Sequence, residues 1–208
     1  MGLLYSLCTS LTSFTAHTVF GLQIYGRENV VEEGPALLAM NHQSFFDPPL
    51  AAVCCHRQIH FLARKTLLEI PVLGRLIANL NVIGVDRDGA DMSALKTVIR
   101  LVKNGGCTII FPEGTRTRDG GLQPAQPGVG LVIAKTLAPV VPMRVFGAFE
   151  AFPRTSRFPR RAKITVIIGK PLHFSKDDIA GEPREAYQRI SDRVMAAIAA
   201  LGIPTREP

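Results

Sequence analysis

The chain carries no charged side chain in its first 26 residues; Arg27 is the first. That lack argues against a signal peptide, whose apolar region follows a basic start. A bilayer-spanning helix needs about 20 predominantly apolar residues. Here Ser6, Thr9, Ser10, Thr12, Ser13, Thr15, His17 and Thr18 dilute the run, and no transmembrane span is expected. Cysteine is scarce. Cys8, Cys54, Cys55 and Cys107 show no paired metal-ligand spacing, so no metal site is expected. Reduced, mostly buried thiols in a cytosolic compartment fit better. Internal repeats, low-complexity stretches and an interdomain linker are also missing, which points to one domain.

What is present is a globular composition, 47% hydrophobic and 20% charged over 208 residues, enough for a sizeable core. The formal net charge of +7 implies an anionic partner: nucleic acid, a membrane surface or a phosphorylated substrate. At the amino terminus Leu4, Leu7, Leu11 and Phe14 fall on one face of a helix. Such a face either docks on the core or lies in the headgroup layer. We assign residues 1–24 to an interfacial amphipathic helix and 25–208 to the domain proper.

Short, continuously apolar runs at 36–40, 60–63, 81–85, 107–111, 140–145 and 163–168 read as buried strands. Helical patterns fall between them at 48–55, irregularly at 66–80 with breaks at Pro71 and Gly74, at 91–103, near 129–137, and finally at 184–201. Alternation of this kind argues an α/β fold, a mostly parallel central sheet flanked by helices. In such sheets sites collect beyond the carboxyl ends of the strands. Four polar clusters sit there: Asn41/His42, Arg64/Lys65, Asp86/Arg87 and Glu113/Arg116.

Asn41-His42-Gln43-Ser44-Phe45-Phe46-Asp47 places an imidazole and a carboxylate five positions apart, before Pro48-Pro49. On one regular helix they would point about 140° apart, so only a turn brings them together. Asp before prolines also reads as an N-cap. The two readings are a base with its orienting carboxylate, or a cap beside a satisfied buried histidine. Phe111-Pro112-Glu113-Gly114-Thr115-Arg116 joins a Gly turn to an Arg fork, which suits a phosphate or a solvated ion pair. Arg154, Arg157, Arg160 and Arg161, interleaved with Phe152 and Phe158, form a basic run. It fits membrane docking, a solvated loop or, less well, nucleic acid.

Taken together these stretches resemble the 1-acylglycerol-3-phosphate acyltransferase family over about residues 25–170. Asn41-His42 through Asp47 is similar to its catalytic motif and Ile83-Gly84-Val85-Asp86-Arg87 to its second block. Phe111 through Arg116 is similar to the third, and Val140-Val141-Pro142 to the fourth. The family often has a basic residue shortly before the glycine matching Gly128, where this chain has Gln126-Pro127. The resemblance implies a single-domain glycerolipid acyltransferase fold at 25–208. It implies acyl transfer from acyl-CoA or acyl-carrier protein to the sn-2 hydroxyl of a lysophospholipid, 1-acylglycerol 3-phosphate, giving phosphatidic acid, with no cofactor beyond that co-substrate. His42 would be the general base and Asp47 its partner. Arg87, Arg116 and Lys65 would hold phosphate, and Asn41, Glu113, Gly114 and Thr115 would shape the acceptor pocket. Arg154, Arg157, Arg160 and Arg161 would meet an anionic membrane surface, peripherally or monotopically, on the cytoplasmic face. Alternatives are another acceptor (glycerol 3-phosphate, another lysophospholipid, a lyso-aminolipid), a non-catalytic lipid or acyl-CoA binder, or a basic nucleic-acid-binding protein.

Overall fold

Ala36–Met40 (β2), every residue fully buried, is the strand about which the computed structural model is built. The structure describes residues 2–71, 73–85 and 92–204. β2 lies between Cys107–Ile110 (β5) and Val140–Phe146 (β6), parallel to both. Beyond β6 come Thr165–Ile168 (β7), antiparallel to it, and Gln23–Tyr25 (β1), parallel to β7. On the other side a His60–Thr108 bridge joins β5 to the parallel pair Phe61–Arg64 (β3) and Val82–Val85 (β4). The sheet is therefore mostly parallel, with one reversed edge. Strands covered on both faces need apolar side chains at every position, which is why these runs do not alternate.

Successive β2 side chains feed two cores. Leu38 and Met40 pack with Ile109, Val141 and Met143 toward Asp47–Cys54 (α2), whose Leu50 and Ala51 are buried. Leu37 and Ala39 pack with Val140 against Met92–Lys103 (α5), Pro127–Thr136 (α6) and Pro183–Ala200 (α8), through Val98, Val102, Val132, Ile133, Ile190, Val194 and Ile198. Glu182 caps α8 by accepting the Glu185 N–H, and Pro183 follows it, so α8 starts one residue earlier than the apolar spacing suggests.

Two local expectations need correction. Asp47 is the first residue of α2, not its N-cap; Phe46 holds that position and makes no side-chain cap bond. Gly74 does not break a helix. It lies inside Leu73–Ala78 (α4), after the turn of Lys65–Leu68 (α3), where an added Cβ would sit 1.9 Å from the Leu68 carbonyl oxygen. Close approach, rather than a break, calls for glycine there. The Asp91 cap and the Asp86-Arg87 cluster lie outside the described residues.

The amino-terminal helix, Leu3–Phe20 (α1), ends at Gly21 in the left-handed region. It docks on the domain through Tyr5, whose hydroxyl accepts the Ile59 N–H, and through Ala16, both buried. Leu3, Leu7, Leu11 and Phe14 are 64–87% exposed, so the apolar stripe faces away from the core. Thr9 and Thr18 donate their hydroxyls to carbonyls one turn back, which satisfies these polar groups within the helix. Among the described residues no helix is long and apolar enough to cross a membrane.

Candidate active site

Where β2 ends, Asn41 continues the sheet with its side chain. Its amide donates to the Val145 carbonyl (3.1 Å), and its oxygen accepts the Val145 N–H (2.7 Å). Both ends of Asn41 thus tie β2 to β6, and the residue is buried. The chain leaves the sheet at the next residue, His42.

The loop then turns back on a single oxygen. Asp47 Oδ2 accepts the backbone N–H groups of Gln43 (2.6 Å) and Ser44 (2.7 Å) and lies 2.8 Å from His42 Nδ1. An oxygen accepting two amides carries no proton, so the Nδ1 proton points at it and Nε2 bears the lone pair. Asp47 is fully buried. Burial pushes its pKa above the ordinary carboxylate value, and the bond and charge of His42, then the Ser44 and Gln43 amides, pull it back down. The imidazole stacks on Phe111 (centroids 3.8 Å apart, planes at 14°), with its side chain 17% exposed. One edge of the ring therefore reaches solvent from a fixed plane.

The strand-end turn at 111–117 fixes the backbone of the same histidine. Glu113 Oε1 accepts the His42 N–H (3.2 Å), and Thr117 donates its N–H to the His42 carbonyl (2.8 Å). Gly114 makes the turn at φ +69°, its N–H bonded to the Phe111 carbonyl. An added Cβ there would press on Gln126 Cγ at 3.1 Å. Gln126 also donates its N–H to the Pro112 carbonyl, so it braces this turn. Thr115 and Gly114 are exposed at the rim. Arg116 is half-buried, its guanidinium carbon 3.6 Å over the Phe45 ring.

Glu113 is 3% exposed, and burial raises its pKa to about 7, against the lowering by the His42 and Gln123 amides. Because the folded value exceeds the ordinary 4.5, the native state holds this proton more tightly than the unfolded chain. Stability from this group is present below pH 4.5 and is lost as pH rises through about 7. We expect Glu113→Gln, which keeps the His42 bond, to gain roughly 1–3 kcal/mol on wild type between pH 5 and pH 8. Denaturant melts at the two pH values check this. Parallel pH dependence in both proteins contradicts it.

Sequence reasoning missed Gln43, Phe45, Phe111 and Thr117 as parts of this site. Gln43 donates to the Gly120 carbonyl and accepts the Phe149 N–H, locking the loop from the far side. The signal available was position: all four lie within or beside the two motifs. Ser44, the hydroxyl nearest the base, is fully buried and donates to the Phe152 carbonyl at 2.8 Å. Burial also raises the thiols of Cys54 to about 12 and Cys107 to about 11, with Cys55 pushed up too, so none is a ready nucleophile.

The remaining predicted residues lie on other elements or outside the described residues. Lys65 is exposed at the start of α3, just past β3, and Arg87 lies outside the described residues. Arg154, Arg157, Arg160 and Arg161 are exposed in the loop between Ala148–Ala151 (α7) and β7, with Phe158 74% exposed among them. That loop runs beside the end of α1, where Ile164 donates its N–H to the Phe20 carbonyl. Arg161 and Lys163 share a cleft with Thr18 and Phe20. Among the described residues no His, Cys, Asp and Glu side chains group as a metal site.

A model of the Acyltransferase family matches residues 21–146. The chain is 31% identical over 184 residues to the chloroplastic 1-acyl-sn-glycerol-3-phosphate acyltransferase of Brassica napus, covering 86% of this chain and 53% of that one. It is 27% identical over 197 residues to the 1-acyl-sn-glycerol-3-phosphate acyltransferase of Bacillus subtilis, covering 91% of this chain and 96% of that one. It thus spans about half the length of the plant relatives and nearly all of the bacterial one. The fold matches the crystal structure of the 1-acyl-sn-glycerophosphate (LPA) acyltransferase of Thermotoga maritima. The TM-score is 0.75 over 96% of this chain and 81% of that chain, at 24% identity.

Proposed function

The chain belongs to the acyltransferase family, and from that premise we propose that it acylates the sn-2 hydroxyl of 1-acylglycerol 3-phosphate, giving phosphatidic acid. The donor is an acyl thioester, acyl-CoA or acyl-carrier protein. The observation that carries this reading is the His42 Nδ1–Asp47 Oδ2 pair at 2.8 Å beside a turn bearing Arg116. A lone pair on Nε2, with His42 braced by the turn that carries a guanidinium suited to phosphate, fits a phosphorylated alcohol as acceptor. The names carried by the relatives in Brassica napus and Bacillus subtilis point the same way.

In the proposed step Nε2 takes the hydroxyl proton as the oxygen attacks the thioester carbonyl. The new C–O bond forms a tetrahedral intermediate while Asp47 offsets the charge of the imidazolium. The C–S bond then breaks, and the thiolate leaves and takes up the proton. No covalent enzyme intermediate is needed, which agrees with a buried, bonded Ser44 and protonated cysteines. Arg116, with Lys65 and Arg87 from the family pattern, holds the acceptor phosphate, and Gly114 and Thr115 form its rim over the buried Glu113.

The amphiphilic acceptor and its diacyl product both reside in a bilayer, which calls for a protein at the bilayer surface. The outward stripe of α1 and the adjoining arginine loop with Phe158 give it an apolar and a cationic foothold side by side. We place the protein peripherally or monotopically on the cytoplasmic face, where soluble thioester donors reach it. One experiment tests reaction and docking together. Purified protein is mixed with vesicles bearing each candidate acceptor, with acyl-CoA or acyl-carrier protein as donor, and released thiol and lipid product are followed. The expected result is thiol release with 1-acylglycerol 3-phosphate above glycerol 3-phosphate and other lysolipids, and flotation with anionic but not neutral vesicles. Salt-sensitive DNA binding without thiol release would replace this reading with a nucleic-acid one.

A further inference from the structure

Phe45 is a large apolar ring left 51% exposed in the middle of the loop that carries His42 and Asp47. An exposed phenylalanine means little by itself. This one is held rigidly. The amides of Gln43 and Ser44 before it are bonded to Asp47, and the Phe46 N–H after it is bonded to Ser44 Oγ (3.1 Å). Its ring leans on Phe152 at 5.6 Å, and Phe152 in turn contacts Phe46 at 5.2 Å. Arg116, 71 positions along the chain, places its guanidinium carbon 3.6 Å from the Phe45 ring centroid. That is well within the range of a cation–π contact.

We infer that Phe45 is a positioning residue for Arg116: its ring is a platform that orders the guanidinium, on the turn that braces His42, for an anionic acceptor. This inference rests on the phosphate role given to Arg116 above and adds how that role is made selective. Stacking engages the flat face of a guanidinium, whereas a phosphate is bound by its N–H edge, so the two contacts are compatible. A long side chain loses rotamer freedom when it takes up a ligand. A platform removes part of that loss beforehand, which strengthens acceptor binding without touching the chemical step. The ring thus couples the loop holding the base to the turn holding the cation. Phosphate capture and hydroxyl placement then share one rigid frame.

The test is a set of variants, Phe45→Leu, Phe45→Trp, Arg116→Ala and the Phe45→Leu/Arg116→Ala double, read in two ways. The first is KM and kcat for 1-acylglycerol 3-phosphate, for neutral 1-monoacylglycerol and for the acyl donor. The second, independent of turnover, is the protection that glycerol 3-phosphate gives against thermal unfolding. Phe45→Leu should raise KM for the phosphorylated acceptor about tenfold, with kcat, donor KM and neutral-acceptor KM within about twofold. Phe45→Trp should restore the wild-type value, and in the double variant the Leu change should add nothing to the loss from Arg116→Ala. The inference is overturned if Phe45→Leu binds the phosphorylated ligand as wild type does, if Trp does not rescue, if the two losses add in full, or if glycerol 3-phosphate protects no form. Should wild type turn over no acceptor while glycerol 3-phosphate protects it and not Phe45→Leu, the platform stands and the proposed reaction falls.

Discussion

Replacing Asp47 by asparagine should leave the protein folded and lower turnover about 10²–10⁴-fold. The amide oxygen of Asn occupies the place of Oδ2 and can accept the same Gln43 and Ser44 N–H groups, so the loop keeps its shape. Those two bonds also hold the amide in one orientation, because flipping it would turn an NH₂ group toward two donors. The Nδ1 proton of His42 keeps its acceptor, and the tautomer survives. What disappears is the negative charge that offsets the imidazolium formed as the acceptor hydroxyl is deprotonated. Burial disfavours the Asp47 charge, but the Asn NH₂ group falls where Oδ1 lies buried without a partner, so a loss of about 1–3 kcal/mol of stability is expected. A cooperative melt a few degrees below wild type, with a collapsed rate of thiol release, is the expected pair of results. Near-normal turnover would reduce Asp47 to a structural residue of the loop.

A second large effect is expected far from the chemistry, at Gly130→Ala. A Cβ at Gly130 would lie 1.9 Å from the Tyr187 carbonyl oxygen and 2.6 Å from its carbon, atoms of the α8 backbone that no rotamer change can move. The Gly130 N–H donates to Ser191 Oγ (2.8 Å), and that hydroxyl donates to the Gln126 carbonyl (2.9 Å). Forcing the helices apart breaks this buried chain as well as the packing around it. We expect a loss of about 3 kcal/mol and a melting temperature lower by roughly 6–12 °C. The site should suffer too, because Gln126 at the start of α6 is bonded to Pro112 and packs beside Gly114. A variant melting with wild type would mean that α6 and α8 have slack the structure does not show.

These two sites show what local sequence can and cannot carry. Strand and helix order, the turn that joins His42 to Asp47, and the strand-end position of the 111–116 cluster were legible, because periodicity and Gly/Pro punctuation are local signals. The exact place of Asp47 in α2 was not. Capping preference is read from neighbours in the chain, whereas its oxygen is claimed by two amides behind it and by an imidazole. Asn41 looked like a pocket residue and is a strut of the sheet, because its partner Val145 is 104 positions away. The Phe45–Arg116 stack and the α6–α8 approach at Gly130 depend on which elements the topology sets side by side. The reversed edge formed by β7 and β1 is likewise a property of the assembled sheet; each strand alone reads as apolar. For α1 the stripe was visible, but its outward direction was fixed only by Tyr5 and Ala16 taking the inner side.

In the proposed reaction the His42 imidazole moves a proton and never carries the acyl group. Intact-protein mass spectrometry, with released thiol measured in the same quenched samples, tests this directly. With thioester donor alone the protein mass should stay unchanged and no burst of thiol should appear. Adding 1-acylglycerol 3-phosphate should release thiol and phosphatidic acid in equal amounts. A stoichiometric acyl adduct on the protein in the absence of acceptor would contradict direct transfer and the role given to His42.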